Sequence, residues 1–404
     1  MSNSIQDHGS EQDHGPPYIG LWPLFLKFLR FGLLAFGGPV AQIAMLRQAL
    51  VEDERWIAPG RFNRLLAVLQ ILPGPEAHEL CVHMGMVARG RPGGIVAGLG
   101  FMLPGLLLML AAGALYMRWI AGNPSLSGIL LAVQIVVLAV VLRAVIRIGQ
   151  HVVADRLLAM IALVGLASTL LGVPFWIPLL SAGLAYATSR RPVLAVAIAL
   201  TPLIVAMAAG HFAQPVHADV QGIVQASVTL PMLFVAGLKG GLLTFGGAYT
   251  AIPYVRADTV GRGWISDGAF LDGIALAGVL PAPLVIFATF AGYVVGGPAG
   301  ALAITAGMFL PAFAFSLLLF ERLEAVVENP ALHDGLAGVA AAVVGIIAAT
   351  FVQLVQVTAL RVDHPWAAAM LAAIALLLIW RLKGAWVTPA IMGGGALAGW
   401  LFAF

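Results

Sequence analysis

Apolar residues along this chain gather into long runs: 19 to 45, 65 to 88, 95 to 117, 126 to 146, 157 to 172, 175 to 188 and 193 to 210, then 223 to 255, 270 to 295, 299 to 320, 335 to 357, 366 to 380 and 386 to 404. Short loops between them hold most of the charge. A helix needs roughly 20 apolar residues to cross the hydrocarbon layer, and most of these runs approach or exceed that length. Strand-type alternation punctuated by frequent turn signals, the mark of a lipid-facing barrel, is missing. The pattern predicts an all-α polytopic membrane protein of 12 to 13 hydrophobic segments.

The runs repeat. Phe36-Gly37-Gly38 returns as Phe245-Gly246-Gly247, an offset of 209, with Arg30 and Lys239 each six residues before the Phe and Arg47 and Arg256 each nine after the second Gly. Trp56-Ile57 recurs as Trp264-Ile265, Leu72-Pro73-Gly74-Pro75 as Leu280-Pro281-Ala282-Pro283, Leu103-Pro104 as Leu310-Pro311, and Asn123-Pro124 as Asn329-Pro330. Trp176 and Trp386 close the series. Ordered landmarks with drifting offsets identify two homologous units. The division is a polar tail over 1–17, a first repeat over 18–191, a linking helix and loop over 192–222, and a second repeat over 223–404.

The run from Pro192 to Gly210 has no counterpart. If each repeat crosses the membrane an even number of times, one surplus span inverts the second copy, a common carrier plan. Loop cations test this. Thirteen spans with a cytoplasmic N-terminus put twelve basic residues inside and six outside; treating 65–88 and 270–295 as re-entrant, with the N-terminus outside, gives fourteen against four but leaves the repeats parallel. The surplus helix favours inversion.

Composition sharpens the class. Of 404 residues 61% are hydrophobic and 10% charged, far below the quarter or so of a soluble domain. The net charge of +3, with no basic run interleaved with aromatics, predicts no nucleic-acid partner. The single cysteine, Cys81, excludes an internal disulfide or a multi-thiolate metal site. The tail carries two QDHG copies, which read as disordered rather than as a metal site. No Gly-Lys-Ser/Thr phosphate loop is present, which argues against ATP as a driver.

Scarcity of charge makes each buried charge informative. Phe36-Gly37-Gly38-Pro39 predicts a broken helix, with Pro39 suited to the first turn of a new one whose bare N–H groups aim at the membrane interior and favour an anion. Leu72-Pro73-Gly74-Pro75 predicts a second break, and both recur in the other half. Interrupted helices in matching positions of two repeats point to a carrier site. The candidate anion site therefore comprises Arg30, Phe36, Gly37, Gly38, Pro73 and Pro75 with Lys239, Phe245, Gly246, Gly247, Pro281 and Pro283. Arg47 and Arg256, where the apolar runs end, are candidates for a gate or vestibule. Glycines packing helices closely, and Lys27 and Arg30 snorkelling to headgroups, are the alternative readings.

Glu76, His78, Glu79 and His83 form a dense titratable cluster, with Glu79 and His83 one helical turn apart. No His-Glu-x-x-His order occurs, so proton exchange through Glu76 is preferred to a metal site. Leu284 stands where the second half would repeat Glu76.

These residues resemble the chromate ion transporter family in its long, two-domain form. The likeness lies in FLRFGLLAFGGPVAQIAML followed by RWI, LPGPEAHEL and RGRPGGIVAGLGFMLPG, and in GLLTFGGAYTAIPYV followed by WIS, FLDGIALAGVLPAPLVIFATFAGYVVGG and MFLPAF, covering about 20 to 404. The second LPGP reads LPAP, a departure at Ala282. The resemblance implies two homologous halves of opposite orientation, chromate efflux across the bacterial inner membrane and chromate resistance, with no cofactor. Glu76 lies in the LPGPEA stretch that carries the likeness. Beyond lipid and chromate, a homodimer is a candidate assembly. Alternatives are a carrier of sulfate, a dianion of nearly the same shape, and a membrane-embedded metalloenzyme built on His78, Glu79 and His83.

Overall fold

The computed structural model describes residues 16, 18–69, 72–123, 126–212, 228–245, 247–319, 330–382, 384 and 386–402. The tail through residue 15, Pro17 and the site candidate Gly246 lie outside them. Fifteen α-helices and no strand occur among the described residues. The first half holds α1 (Leu21–Leu33), α2 (Gly38–Arg47), α3 (Pro59–Leu69), α4 (Glu76–Leu115), α5 (Ser127–Val152), α6 (Arg156–Leu170) and α7 (Trp176–Ala187). Then come α8 (Pro192–Phe212) and the second half: α9 (Leu230–Leu242), α10 (Ile252–Thr259), α11 (Asp267–Val279), α12 (Phe287–Leu319), α13 (Pro330–Ala359), α14 (Pro365–Arg381) and α15 (Val387–Phe402). Helices α1 to α7 correspond one to one with α9 to α15, and α8 stands alone.

The longest helices are hairpins. Arg89 (φ −145°, ψ 27°) and Gly90 (φ 61°, ψ −156°) break α4, and Gly296 (φ −134°, ψ 20°) and Gly297 (φ 59°, ψ −155°) break α12 in the same way. The second residue of each pair sits in a region open only to glycine. Gly85 then backs directly onto Gly93, and Gly292 onto Gly300, so each chain doubles back on itself. Among the described residues four helical stretches are long and apolar enough to cross a membrane, Glu76–Ile120, Ser127–Val152, Leu284–Leu318 and Asp334–Ala359, the first and third being these hairpins.

The short helices fold back as well. Beyond the Phe36-Gly37-Gly38 turn the chain returns to the face it came from, because Glu54 is ion-paired with Lys27 of α1 and Trp56 lies edge-on to Phe28 at 6.5 Å. Helix α3 then rises to the Pro73-Gly74-Pro75 turn and the first limb of α4 descends again. In the second half Gly240 of α9 lies against Val255 of α10, and Gly273 of α11 against Phe290 of α12. Runs 65–88 and 270–295 are thus re-entrant. So is 19–45, contrary to its expected role as a span: its length fits one crossing, but the glycine turn folds it into two half-crossings.

The halves are inverted. The second limbs of α4 and α12, equivalent by the repeat, pack antiparallel, with Gly94 on Leu317 and Gly98 on Phe313. Only a two-fold axis in the membrane plane relates equivalent helices in that sense. The N-terminus shares a face with the Arg89 turn, whose guanidinium lies 4.5 Å from the Tyr18 ring. With both leading runs folded back and the N-terminus on the inner side, the loop cations again divide fourteen to four, now with Arg118, Arg256, Arg262 and Arg361 outside and the halves inverted, and the conflict between charge and surplus helix disappears.

Packing relies on small residues, which let backbones approach where water supplies no hydrophobic drive. The α6–α7 hairpin lies on α13 of the other half, with Gly165 against Ala342, and α14–α15 lies on α5, with Gly395 against Val136. Asp155 caps α6 by accepting from the Leu158 amide at 2.8 Å and accepts the Tyr186 hydroxyl at 2.7 Å. Burial alone would raise the Asp155 carboxyl, but those donors hold it below its ordinary value.

Candidate functional site

Four helix breaks meet where the halves cross. The Gly74 amide donates to the Thr244 carbonyl at 2.8 Å, joining the first Pro-Gly-Pro turn to the second glycine turn. The reciprocal contact is made by Gln42, 1% exposed, whose Nε2 donates to Ala35 O and Ala282 O, both at 2.9 Å. Each Pro-rich turn of one half is therefore tied to the glycine turn of the other. Ala282 also packs on Gly105.

The helices leaving these turns begin without side-chain caps. Gly37 precedes α2 in a left-handed conformation (φ 85°), with Pro39 in its first turn, and Pro75 precedes α4. Gly247 and Pro283 each precede a short 3-10 turn that leads into α10 or α12. Uncapped N-termini carry partial positive charge. At the first Pro-rich turn Glu76 and Glu79 stand in the first turn of α4; no acidic side chain occupies the first turn of α2, α10 or α12.

The structure brings the predicted turn residues together but divides the predicted cations. Arg30 is exposed on the N-terminal side of the crossing. Lys239 approaches from the opposite side, bound to Asp258 at 2.6 Å and lying 5.1 Å from the Phe175 ring. Phe36 stacks on Trp386 at 5.1 Å, so the turn of each terminal hairpin reaches the other half's glycine turn. Arg47 contacts Glu52 and Asn63 on the N-terminal side, each at 3.5 Å, while Arg256 binds Asp267 at 2.7 Å and Gln353 at 3.0 Å on the other. Phe245 is buried.

Arg143 of α5 was missed, counted in the sequence as a loop charge although it falls within the run 126–146. It is half-buried and interacts electrostatically with Tyr249, two residues past Gly247. Its presence inside an apolar run was the available signal; the neutral Thr350 at the matching place of the second half hid it from a search for repeated cations.

Glu76, His78, Glu79 and His83 occupy the start of α4, all buried. His78 lies among the rings of Phe309 (4.9 Å), Phe313 (4.8 Å) and Phe101 (6.5 Å), while Glu79 packs on Gly74. Among the described residues no group of three or more His, Cys, Asp or Glu is placed to hold a metal ion.

A profile of the chromate transporter family matches residues 22–187 and again 231–400. This chain belongs to that family. It is 53% identical over 388 residues to the chromate transport protein of Pseudomonas aeruginosa, covering 96% of this chain and 93% of the relative. The chromate transport protein of Cupriavidus metallidurans is 30% identical over 399 residues, covering 96% and 94%. An uncharacterised transporter of Bacillus subtilis matches 126 residues at 29% identity, 31% of this chain and 70% of its own length. No solved structure matches. The chain is thus a multi-pass membrane protein of a transporter family, and the crossed turns are the natural place to look for its substrate.

Proposed function

We propose that this protein is a secondary-active carrier that exports chromate across the bacterial inner membrane and so confers chromate resistance. The observation that carries the reading is the convergence of uncapped helix starts from both inverted halves, beside Arg143, in a chain 53% identical to a chromate transport protein. The oxyanion is held between the two glycine turns. Arg30 and Lys239 flank it from opposite faces, so each is suited to receive it on one side of an alternating-access cycle. Lys239 exchanges Asp258 for the anion when it does so. The Arg-rich N-terminal face is cytoplasmic by the positive-inside rule.

Export is feasible without ATP. A dianion leaving an interior about 100 mV negative gains about 4 to 5 kcal/mol. Glu76, at the first turn of α4, remains a candidate for proton exchange beside Glu79. Sulfate shares the charge and shape of chromate and is the competing substrate.

Radiolabelled chromate uptake into everted membrane vesicles tests the proposal. Wild-type vesicles accumulate the label under an imposed potential, whereas Arg30→Ala and Lys239→Ala, inserted normally, each lose most of the initial rate. Full rates in both variants would sink the two-cation site. Competition by excess sulfate at concentrations equal to those of unlabelled chromate would make this an oxyanion carrier without chromate selectivity.

A further inference from the structure

Glu79 stands one turn into α4, and its side chain has no surface exposure. Neither carboxyl oxygen has a hydrogen-bond partner. The carboxyl lies against Gly74, where a methyl group would collide with Oε1. Gly74 is also the residue whose amide is tied to Thr244 of the other half. An unpartnered acid is therefore packed against the peptide that joins two of the crossed turns.

Apart from the uncapped start of α4, which Glu76 shares with it, its surroundings offer little to hold a charge. The charged group acting on it is Glu76 of the same helix, which is of like sign. His78 faces Phe101, Phe309 and Phe313, and His83, farther along α4, is near Arg61 of α3. The facing limb of α12 presents phenylalanines, and the opposing turn presents the Thr244 carbonyl. A bare carboxylate stripped of water and partners costs several kcal/mol, so with the turns closed the group is carried as the neutral acid. The second half keeps the packing without the acid: Phe287 stands where Glu79 would recur, and Ala282 replaces Gly74.

We infer that Glu79 is the proton-coupling group of this carrier: it is neutral while the turns are closed around an oxyanion and ionises when they part and admit water. The inference rests on the carrier reading and names its coupling residue. An ionised Glu79 repels the oxyanion and a protonated one does not, so proton and oxyanion bind cooperatively, and by linkage each raises the affinity for the other to the same degree. One Glu79 per chain implies one such proton per cycle, carried with the oxyanion so that the pair moves one net negative charge rather than two.

Chromate binding to purified protein, measured by isothermal titration across pH together with proton uptake in weak buffer, is the test. Chromate's own protonation is common to every variant, so the comparison is between proteins. Wild-type affinity is expected to fall about tenfold per pH unit through the range where Glu79 ionises, relative to Glu79→Gln. One proton is taken up per oxyanion bound beyond the uptake seen with that variant. Glu79→Asp, which keeps the acid, retains the uptake. The same pH dependence and uptake in wild type and Glu79→Gln overturn the inference, as does loss of uptake in Glu76→Gln while Glu79→Gln keeps it. If the wild type binds no chromate at any pH, the carrier reading itself fails and the inference falls with it. A Glu79→Gln protein that elutes as wild type but no longer binds also overturns it, because the neutral side chain should preserve the binding-competent form.

Discussion

Arg143 is costly where it stands. A guanidinium in the middle of an apolar helix is retained where it faces an aqueous cavity or an anion, and here it faces the segment just past the second glycine turn. A charge-assisted contact of about 1.5 to 3 kcal/mol corresponds to roughly tenfold or more in affinity. Arg143→Gln should therefore raise the KM for chromate in everted vesicles at least tenfold, with Arg143→Lys recovering part of the loss; an unchanged KM would remove Arg143 from the site. Such residues mark what the sequence shows and what it hides. The glycine and proline turns were legible because they repeat at matching positions; the repeat also pairs Arg30 with Lys239 but does not show their placement on opposite sides of the crossing. The partner of Lys239 was not legible, since Asp258 has only Ala49 at the corresponding offset. Glu79 was seen as one member of a cluster, but nothing in its spacing tells a partnered acid from one packed against a backbone.

At the scale of the element, hydropathy measures how long an apolar run is and says nothing about whether it goes through or turns round. The run 19–45 has the length of a span and is a hairpin, because two glycines with positive φ reverse the chain at Gly37 (85°) and Gly38 (77°). The apolar runs 65–88 and 95–117 are separated by the charged stretch around Arg89 and Arg91, and α4 breaks there, with Gly90 at φ 61° and ψ −156°. Such a conformation costs a non-glycine residue about 1 to 3 kcal/mol. Gly90→Ala and Gly297→Ala should each lower the thermal unfolding midpoint in detergent, and the double variant should lower it by about the sum, because the two turns lie in different halves. A midpoint unmoved by both would show that the hairpin turns are not strained in this way. Ala substituted for Ile95, an exposed neighbour on α4, serves as the comparison.

For the whole molecule, inversion makes a direct prediction. With the buried Cys81 replaced by Ser, a cysteine placed at Arg55 and one placed at Arg262 should react with an impermeant thiol reagent from opposite sides of the membrane. Reaction from the same side would refute the antiparallel arrangement. Polar links between the halves are also uneven. Asp272, 4% exposed, accepts from Tyr116 at 2.9 Å and Gln134 at 2.8 Å, and Gln134 in turn accepts from Arg361 at 2.9 Å, all on the face opposite the N-terminus. Arg64 occupies the position of Asp272 in the first half, so the same latch cannot form on the other face. Asp272→Ala takes the acceptor from the buried Tyr116 hydroxyl, at about 1 to 3 kcal/mol, leaves Gln134 only its longer bond to the Gly268 carbonyl, and should expose a cysteine at Thr244 to reagent from that face. Continued protection of that cysteine would count against a latch.

The surplus helix α8 bears on how such asymmetry is possible at all. A chain carrying a single repeat would have to meet a second copy inserted the other way up, and both copies would share every residue. By turning the second half over within one polypeptide, α8 guarantees one unit of each orientation and frees them to differ. An acid can then be kept on one side of the axis and a Lys–Asp pair on the other, giving a pseudo-symmetric machine a built-in distinction between its two faces.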